Sequence, residues 1–174
     1  MEFDQIAQEE LTTAGEYCKK TMETILEKMD FKAVVIPVVK EDGRLILQMS
    51  DCPDMGLIIG KDGNTLRALQ TVLRVLVMKK FEKKAHILLD ADNYLLKREE
   101  ALKDTAYAAV ERVEQTRRKV QLKPMNSVER RIIHTTLAEE TNIHTYSIGE
   151  GQDRRVVIAP GPRQAQPEWA STPS

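Results

Sequence analysis

The sequence predicts an α+β chain built as two small domains, and three observations carry that expectation. Up to Asp90 the apolar periodicities run helix, strand, strand, helix, loop, helix, strand, an order that can close a small sheet beneath helices. A polar junction, Asp90-Ala91-Asp92-Asn93, follows. Beyond it come a long helix, a shorter capped helix and strands sufficient for a second, three-stranded sheet. With 174 residues the chain has room for this division. The expected boundaries are 1–91, 92–160 and a disordered tail at 161–174.

In chain order, Ile6, Leu11, Ala14, Cys18, Met22, Ile25, Leu26 and Met29 recur mostly at three- and four-residue steps, which predicts a long amphipathic helix. Ala33 to Val39 and Leu45 to Ser50 are apolar and partly β-branched. The turn Glu41-Asp42-Gly43-Arg44 between them makes a hairpin. Pro37 has no N–H to donate, so its strand should lie at a sheet edge or contain a bulge. Asp51-Cys52-Pro53-Asp54 breaks the chain before a short helix. Leu66, Leu69, Leu73, Leu76 and Val77 define the buried face of the next helix, with Arg67 and Arg74 off that face. Asn64 or Thr65 is expected to cap it. Ala85 to Asp90 is a third strand, and one antiparallel sheet with helices on one face would bury these stripes.

In the second half, Leu102, Ala106, Ala109 and Val113 mark one side of a helix from about Tyr94 to Lys119. Gln121 to Lys123 reads as a short strand before Pro124. Asn126 with Glu129 three residues later has the pattern of a capping box, so a helix should start there and run to about Leu137. Ile143 to Ile148 and Arg154 to Ala159 read as strands joined by Gly149-Glu150-Gly151-Gln152-Asp153. After Pro160 the composition turns to Pro, Gln, Ser and Thr, which predicts disorder that Trp169 alone does not rescue.

Composition bounds the function. The chain is 41% hydrophobic and 30% charged, ordinary for a soluble globular protein, with no apolar run long enough to span a bilayer. Met1-Glu2-Phe3-Asp4 is not the basic start of a secretory signal. Cys18 and Cys52 have neither disulfide-framework nor zinc-ligand spacing and suit a reducing cytoplasm; no metal or other cofactor is expected. The net charge of −1 hides segregation. Acidic residues dominate before Phe31, whereas Lys61, Arg67, Arg74, Lys79, Lys80, Lys83 and Lys84 cluster against Asp62 and Glu82. Arg117-Arg118-Lys119 and Arg130-Arg131 form a second basic cluster. Solvated helix faces would account for such clusters; so would a surface for phosphates.

Two motifs bear on that choice. Gly60-Lys61-Asp62-Gly63 sits between apolar helical stretches, Met55 to Ile59 and Thr65 to Met78. Alone it is equally a plain turn, but glycines let a ligand's backbone approach main-chain N–H groups, and the following helix start adds partial positive charge. Arg130 and His134 are four apart and share one helix face, with Val128, Ile132 and Leu137 available for the buried side. Enzyme signatures do not compete. His86, His134 and His144 have no nucleophile at recognisable spacing, the glycine loop lacks the Gly-Lys-Ser/Thr ending of a Walker loop, and no strand shows the paired rings of an RRM.

With these flanks, the glycine loop and the elements from Phe31 to Asp90 resemble a KH domain of type II, whose loop clamps the backbone of about four nucleotides. The resemblance implies that Lys61 supplies charge, that Gly60 and Gly63 permit close approach, and that Arg67 and neighbouring N–H groups assist. Asp62 departs from the basic residue common there. Ile58 and Ile59 would line the groove that meets the bases. Asn126 to His134, then Thr145-Tyr146-Ser147-Ile148-Gly149-Glu150 and Arg154-Arg155-Val156-Val157-Ile158, resemble the R-three-H domain, named for its Arg-x-x-x-His pair. By that resemblance Arg130 and His134 contact the nucleic-acid backbone, with Arg131 and Arg155 on the same surface.

A KH domain followed directly by an R-three-H domain resembles the bacterial Jag family, the SpoIIIJ-associated or KhpB-type RNA-binding proteins. Many members carry an additional N-terminal Jag module, and none fits ahead of the first helix. The resemblance implies a cytoplasmic, non-enzymatic binder of single-stranded RNA, with single-stranded DNA as an alternative ligand. It implies an RNA-chaperone or post-transcriptional role linked to cell elongation and wall homeostasis. A small KH-only protein and self-association are the implied protein partners, without membrane insertion. The alternative is a protein–protein adaptor in cell-wall growth or membrane-protein insertion. Replacing Gly60 and Gly63 together by Asp is expected to abolish most binding by the KH half and to leave the fold intact.

Overall fold

The computed structural model describes residues 4–161. The expected tail at 161–174, with Trp169, lies outside the described residues except for Gly161. Contacts divide the chain into two compact units, one up to Leu95 and one from Leu96, and each is α+β.

In the first unit, helix α1 (Leu11–Lys28) buries Leu11, Ala14, Gly15, Cys18, Met22 and Leu26. It begins later than the periodicity suggests. Ile6 donates its N–H to Lys84 O at 2.9 Å and Lys84 returns one to Asp4 O at 2.7 Å, so this segment is extended and paired. Strands β1 (Val34–Val39) and β2 (Leu45–Ser50) form the expected hairpin, in register from Val34↔Ser50 to Val39↔Leu45. Gly43 makes the turn at φ 78°. β1 is an edge strand, which accommodates Pro37. Gly15 lets α1 lie close on it: a Cβ there would stand 3.2 Å from Pro37 Cβ.

The chain then crosses the helical face through α2 (Met55–Ile59) and α3 (Asn64–Phe81) before β3 (Ile87–Ala91). β3 pairs with β2 in parallel, Leu45↔Ile87 to Met49↔Ala91. The expectation of a wholly antiparallel sheet is therefore wrong. A helical crossover brings the chain back to the end of the sheet from which it left, and the strand it delivers runs parallel. α3 buries Leu66, Leu69, Leu73 and Val77 as expected, while Leu76 is only half-buried. Arg74 is engaged by the sheet: its Nε and Nη2 donate to Ile87 O at 3.0 and 2.6 Å. Gln70 accepts from Leu89 N at 3.0 Å, so two α3 side chains satisfy the margin of β3.

In the second unit, α4 (Tyr94–Thr116) packs Leu102, Ala106, Ala109, Val110 and Val113 into the core. It stops short of Lys119 because Arg117 turns left-handed at φ 54°. β4 (Val120–Gln121), α5 (Ser127–Thr136), β5 (Ile143–Ile148) and β6 (Arg155–Pro160) follow. The sheet is antiparallel in the order β4-β6-β5, leaving β5 at an edge. The capping box forms as the sequence indicates. Asn126 Oδ1 accepts from the N–H groups of Val128 and Glu129 at 3.0 and 3.1 Å, and Glu129 Oε2 accepts from Asn126 N at 3.1 Å.

The buried side of α5 matches the expected one only in part. Leu137 is buried as expected and Ile132 packs partly on the core, but Val128 is 67% exposed, and Glu129 and Ile133 point inward. A carboxylate can occupy that inward position because its second oxygen pairs with Arg98 Nε at 2.8 Å while the first caps the helix.

Candidate nucleic-acid interface

The glycine loop is shaped by backbone conformations that few side chains tolerate. Gly60 ends α2 at φ 70°, ψ 178°, a region essentially reserved for glycine, and Gly63 is left-handed at φ 71°. The space a Cβ would occupy at each is filled by the protein itself. At Gly60 it would run into the Thr65 side chain, 2.8 Å from Thr65 Cβ, and at Gly63 it would lie 2.8 Å from the Tyr94 ring. Gly63 is buried. The glycines thus set the loop's shape, and the crest offered to a ligand is Lys61 and Asp62, both exposed.

Asp62 has a structural reason to be there. Its φ of 53° and ψ of 30° are left-handed, where Asp is among the better-tolerated residues. Arg67 reaches back from α3, donating through Nη2 to Asp62 O at 2.9 Å and to Asn64 Oδ1 at 2.7 Å. Its guanidinium braces the crest. Neither Asn64 nor Thr65 occupies the cap position of α3; Gly63 does. With no acidic residue in that first turn, the positive end of the helix stands behind Lys61.

Ile58 is fully buried in the first core and cannot meet a base, which corrects its assignment to the groove. Ile59 is half-buried and packed on that core. The apolar residue offered outward by α2 is Leu57, at 66% exposure. A helix of five residues is too short for periodicity to fix which way each side chain points.

In the second unit, α5 presents Arg130 and His134 toward β5 and the entry to β6. Arg130 Nη1 donates to Met125 O at 2.9 Å. Met125 N in turn donates to Arg154 O at 3.1 Å, which brings a second arginine alongside. Burial, and then repulsion from Arg154, lower the Arg130 pKa from its ordinary value. Among the described residues Arg130 has no carboxylate partner. His134 uses both ring nitrogens on β5: Nδ1 to Thr145 Oγ1 at 2.7 Å and Nε2 to Ser147 Oγ at 3.0 Å. A neutral imidazole donates to one hydroxyl and accepts from the other.

Arg131 does not join them. With Glu99, Lys103, Val128, Ile132, Thr135 and Thr136 it lines an open groove between α4 and α5. Arg155 turns to its own loop, donating through Nε to Asp153 O at 3.0 Å. Arg154, Thr145 and Ser147 escaped the motif because only folding brings them beside α5. The rings of His144 and Tyr146 also escaped it: they stack on β5 with centroids 5.8 Å apart and planes 19° from parallel. The signal was available as two rings at i and i+2 in a strand.

Comparison with known proteins agrees with both units. Residues 17–89 match the KhpA/KhpB KH domain, and 100–160 match the R-three-H domain. The RNA-binding protein KhpB of Bacillus subtilis strain 168 is 37% identical over 143 residues, covering 81% of this chain and 68% of the relative. The chain belongs to the KhpB family. Its counterpart in Clostridium symbiosum is 41% identical over 106 residues, 61% of this chain and 48% of that protein. The KhpB of Lactiplantibacillus plantarum is 37% identical over 109 residues, 63% of this chain and 34% of its own length. The chain thus spans about two thirds of the first of these KhpB proteins, half of the second and a third of the third. Among the described residues no helix is long and apolar enough to cross a membrane, and no cluster of His, Cys, Asp and Glu could hold a metal ion.

Proposed function

We propose that this KhpB-family chain binds single-stranded RNA through its phosphates at two places, the Lys61–Asp62 crest with the start of α3 and the Arg130–His134 face of α5. One observation carries the reading. Arg130 and Arg154 sit close enough to repel, Arg130 is partly desolvated and held by Met125 O, and no carboxylate among the described residues neutralises it. Such a pair is stabilised by an external anion, and a fork-shaped guanidinium suits a phosphate. The proteins of this family from the three bacteria above bear the name RNA-binding protein, which supports RNA as the polyanion. In this reading the chain holds RNA without catalysing a reaction and works in the cytoplasm, as a chaperone or regulator in cell elongation and wall homeostasis. Single-stranded DNA offers the same phosphates.

Fluorescence anisotropy with a labelled single-stranded RNA across a salt series tests this. Each phosphate contact should steepen the slope of log K against log salt by about 0.7. Arg130→Ala should weaken binding roughly tenfold or more, as expected for loss of a charged hydrogen bond. A flat salt response would sink the reading.

A protein-adaptor reading draws on a different observation. Val34 and Ile36 on β1 are 46% and 50% exposed while Val35 between them is buried, so the face of the first sheet away from its core carries apolar surface. A small KH-only protein or a second copy would be the partner there. Sedimentation of the chain alone and with such a partner tests it.

A further inference from the structure

Successive side chains of a strand point to opposite faces. His134 bonds Thr145 and Ser147, and Ile143 lies in the core, so the odd positions of β5 face the helices. His144 and Tyr146 therefore stand on the other face. Directly across from them in register are Ala159 and Val157. Both are buried, at 7% and 1%, yet neither belongs to the helix-side core. Two rings lying over β6, side by side and nearly parallel, would cover these positions. His144 is fixed further by donating from Nδ1 to Gly161 O at 3.2 Å. Both rings are only half-buried, so each keeps surface toward solvent. By the same alternation Arg155 and Gln121 share this face, adding a cation and an amide beside the rings.

We propose that His144 and Tyr146 form a stacking platform for unpaired nucleobases. The inference rests on the nucleic-acid reading above and supplies what that reading lacks, a contact with bases. Aromatic faces on a sheet take bases with little regard to sequence, because every base has a π-face. Because β5 is an edge strand, one nucleotide chain can pass over it with phosphates on the Arg130 and His134 side and bases on the ring side. The edge strand divides the work between its two faces.

The test titrates the full chain with a short oligouridylate and with an abasic oligomer of the same length, following the fold by circular dichroism. Tyr146→Leu, which keeps apolar cover but removes the ring, should weaken oligouridylate binding roughly fivefold to a hundredfold. Tyr146→Phe should restore it. The preference for the base-bearing over the abasic oligomer should shrink in Tyr146→Leu, a change that a purely structural role of the ring would not produce. His144→Gln is the independent variant should Tyr146→Leu fail to fold, with the same expected loss of preference. If the native chain binds oligouridylate and the folded variants bind and discriminate equally well, the platform is refuted while RNA binding stands. If the native chain binds neither oligomer, both are refuted.

Discussion

The two sites proposed for a polyanion are built from opposite materials. In the first the site is main chain: glycine conformations shape a crest, the start of α3 stands behind it, and Arg67 braces the loop rather than reaching outward. In the second the site is side chain: a guanidinium tethered at Met125 O and an imidazole seated between two strand hydroxyls. A backbone site is damaged by adding atoms and hardly by removing them. A side-chain site is damaged by truncation, and its framework outlives the loss. In the proposed reading, one class of ligand would leave two mutational signatures in one chain.

The largest effect expected from this contrast is on stability. Gly60→Asp with Gly63→Asp should destabilise the first unit by about 4 kcal/mol or more, since each position is conformationally strained for other residues and each new Cβ meets Thr65 or Tyr94. Urea unfolding measures it. This replaces the sequence-based expectation that the double variant keeps its fold, and a variant as stable as the native chain would erase the distinction between the two sites. Next comes Glu129→Ala, which removes the capping carboxylate and the pairing of Glu129 with Arg98. It should cost about 2–3 kcal/mol in the same measurement.

Smaller and confined to binding is Lys61→Asp. Lys61 is exposed and its replacement touches no glycine, so thermal unfolding should be unchanged. RNA affinity should fall severalfold, and the salt slope should flatten by about 0.7 if Lys61 accounts for one phosphate. Unaltered affinity would leave the second unit as the sole grip. The effect confined to alkaline pH concerns Cys18 in the core of the first unit. Burial pushes the Cys18 thiol up to about 12 from an ordinary 9.0. The native state resists its ionisation and the unfolded chain does not, so this contribution to stability is complete below pH 9 and is lost as pH climbs toward 12. Cys18→Ala should show a shallower decline over that window. At neutral pH, mass spectrometry after alkylation should find Cys52 modified and Cys18 protected until the chain unfolds.

How legible each unit was follows from the range of the interactions involved. The Asn126–Glu129 capping box spans three residues, and the α4 stripe of Leu102, Ala106, Ala109 and Val113 repeats over many turns; both could be read directly. The direction of β3 could not, because alternation in a strand is the same whichever way it runs. Ile58 and Leu57 could not be told apart within a helix of five residues. The inward turn of Glu129 was masked because a lone carboxylate reads as solvent-facing until Arg98 is seen beside it. Charge counting erred for a similar reason. Arg74 is spent on Ile87 O and Lys83 on Glu10 at 2.6 Å, so the basic run after Lys61 offers fewer cations to a ligand than its composition suggests.

The margins of the first sheet decide how it can meet other proteins. Gln70 and Arg74 occupy the outward groups of β3, and Pro37 deletes a donor from β1. Neither flank therefore presents an unbroken row of amides and carbonyls for an incoming strand to zip onto. Companions of the first unit must press against its flat surface or a loop, and this sheet is guarded against the edge-to-edge pairing that bare margins invite.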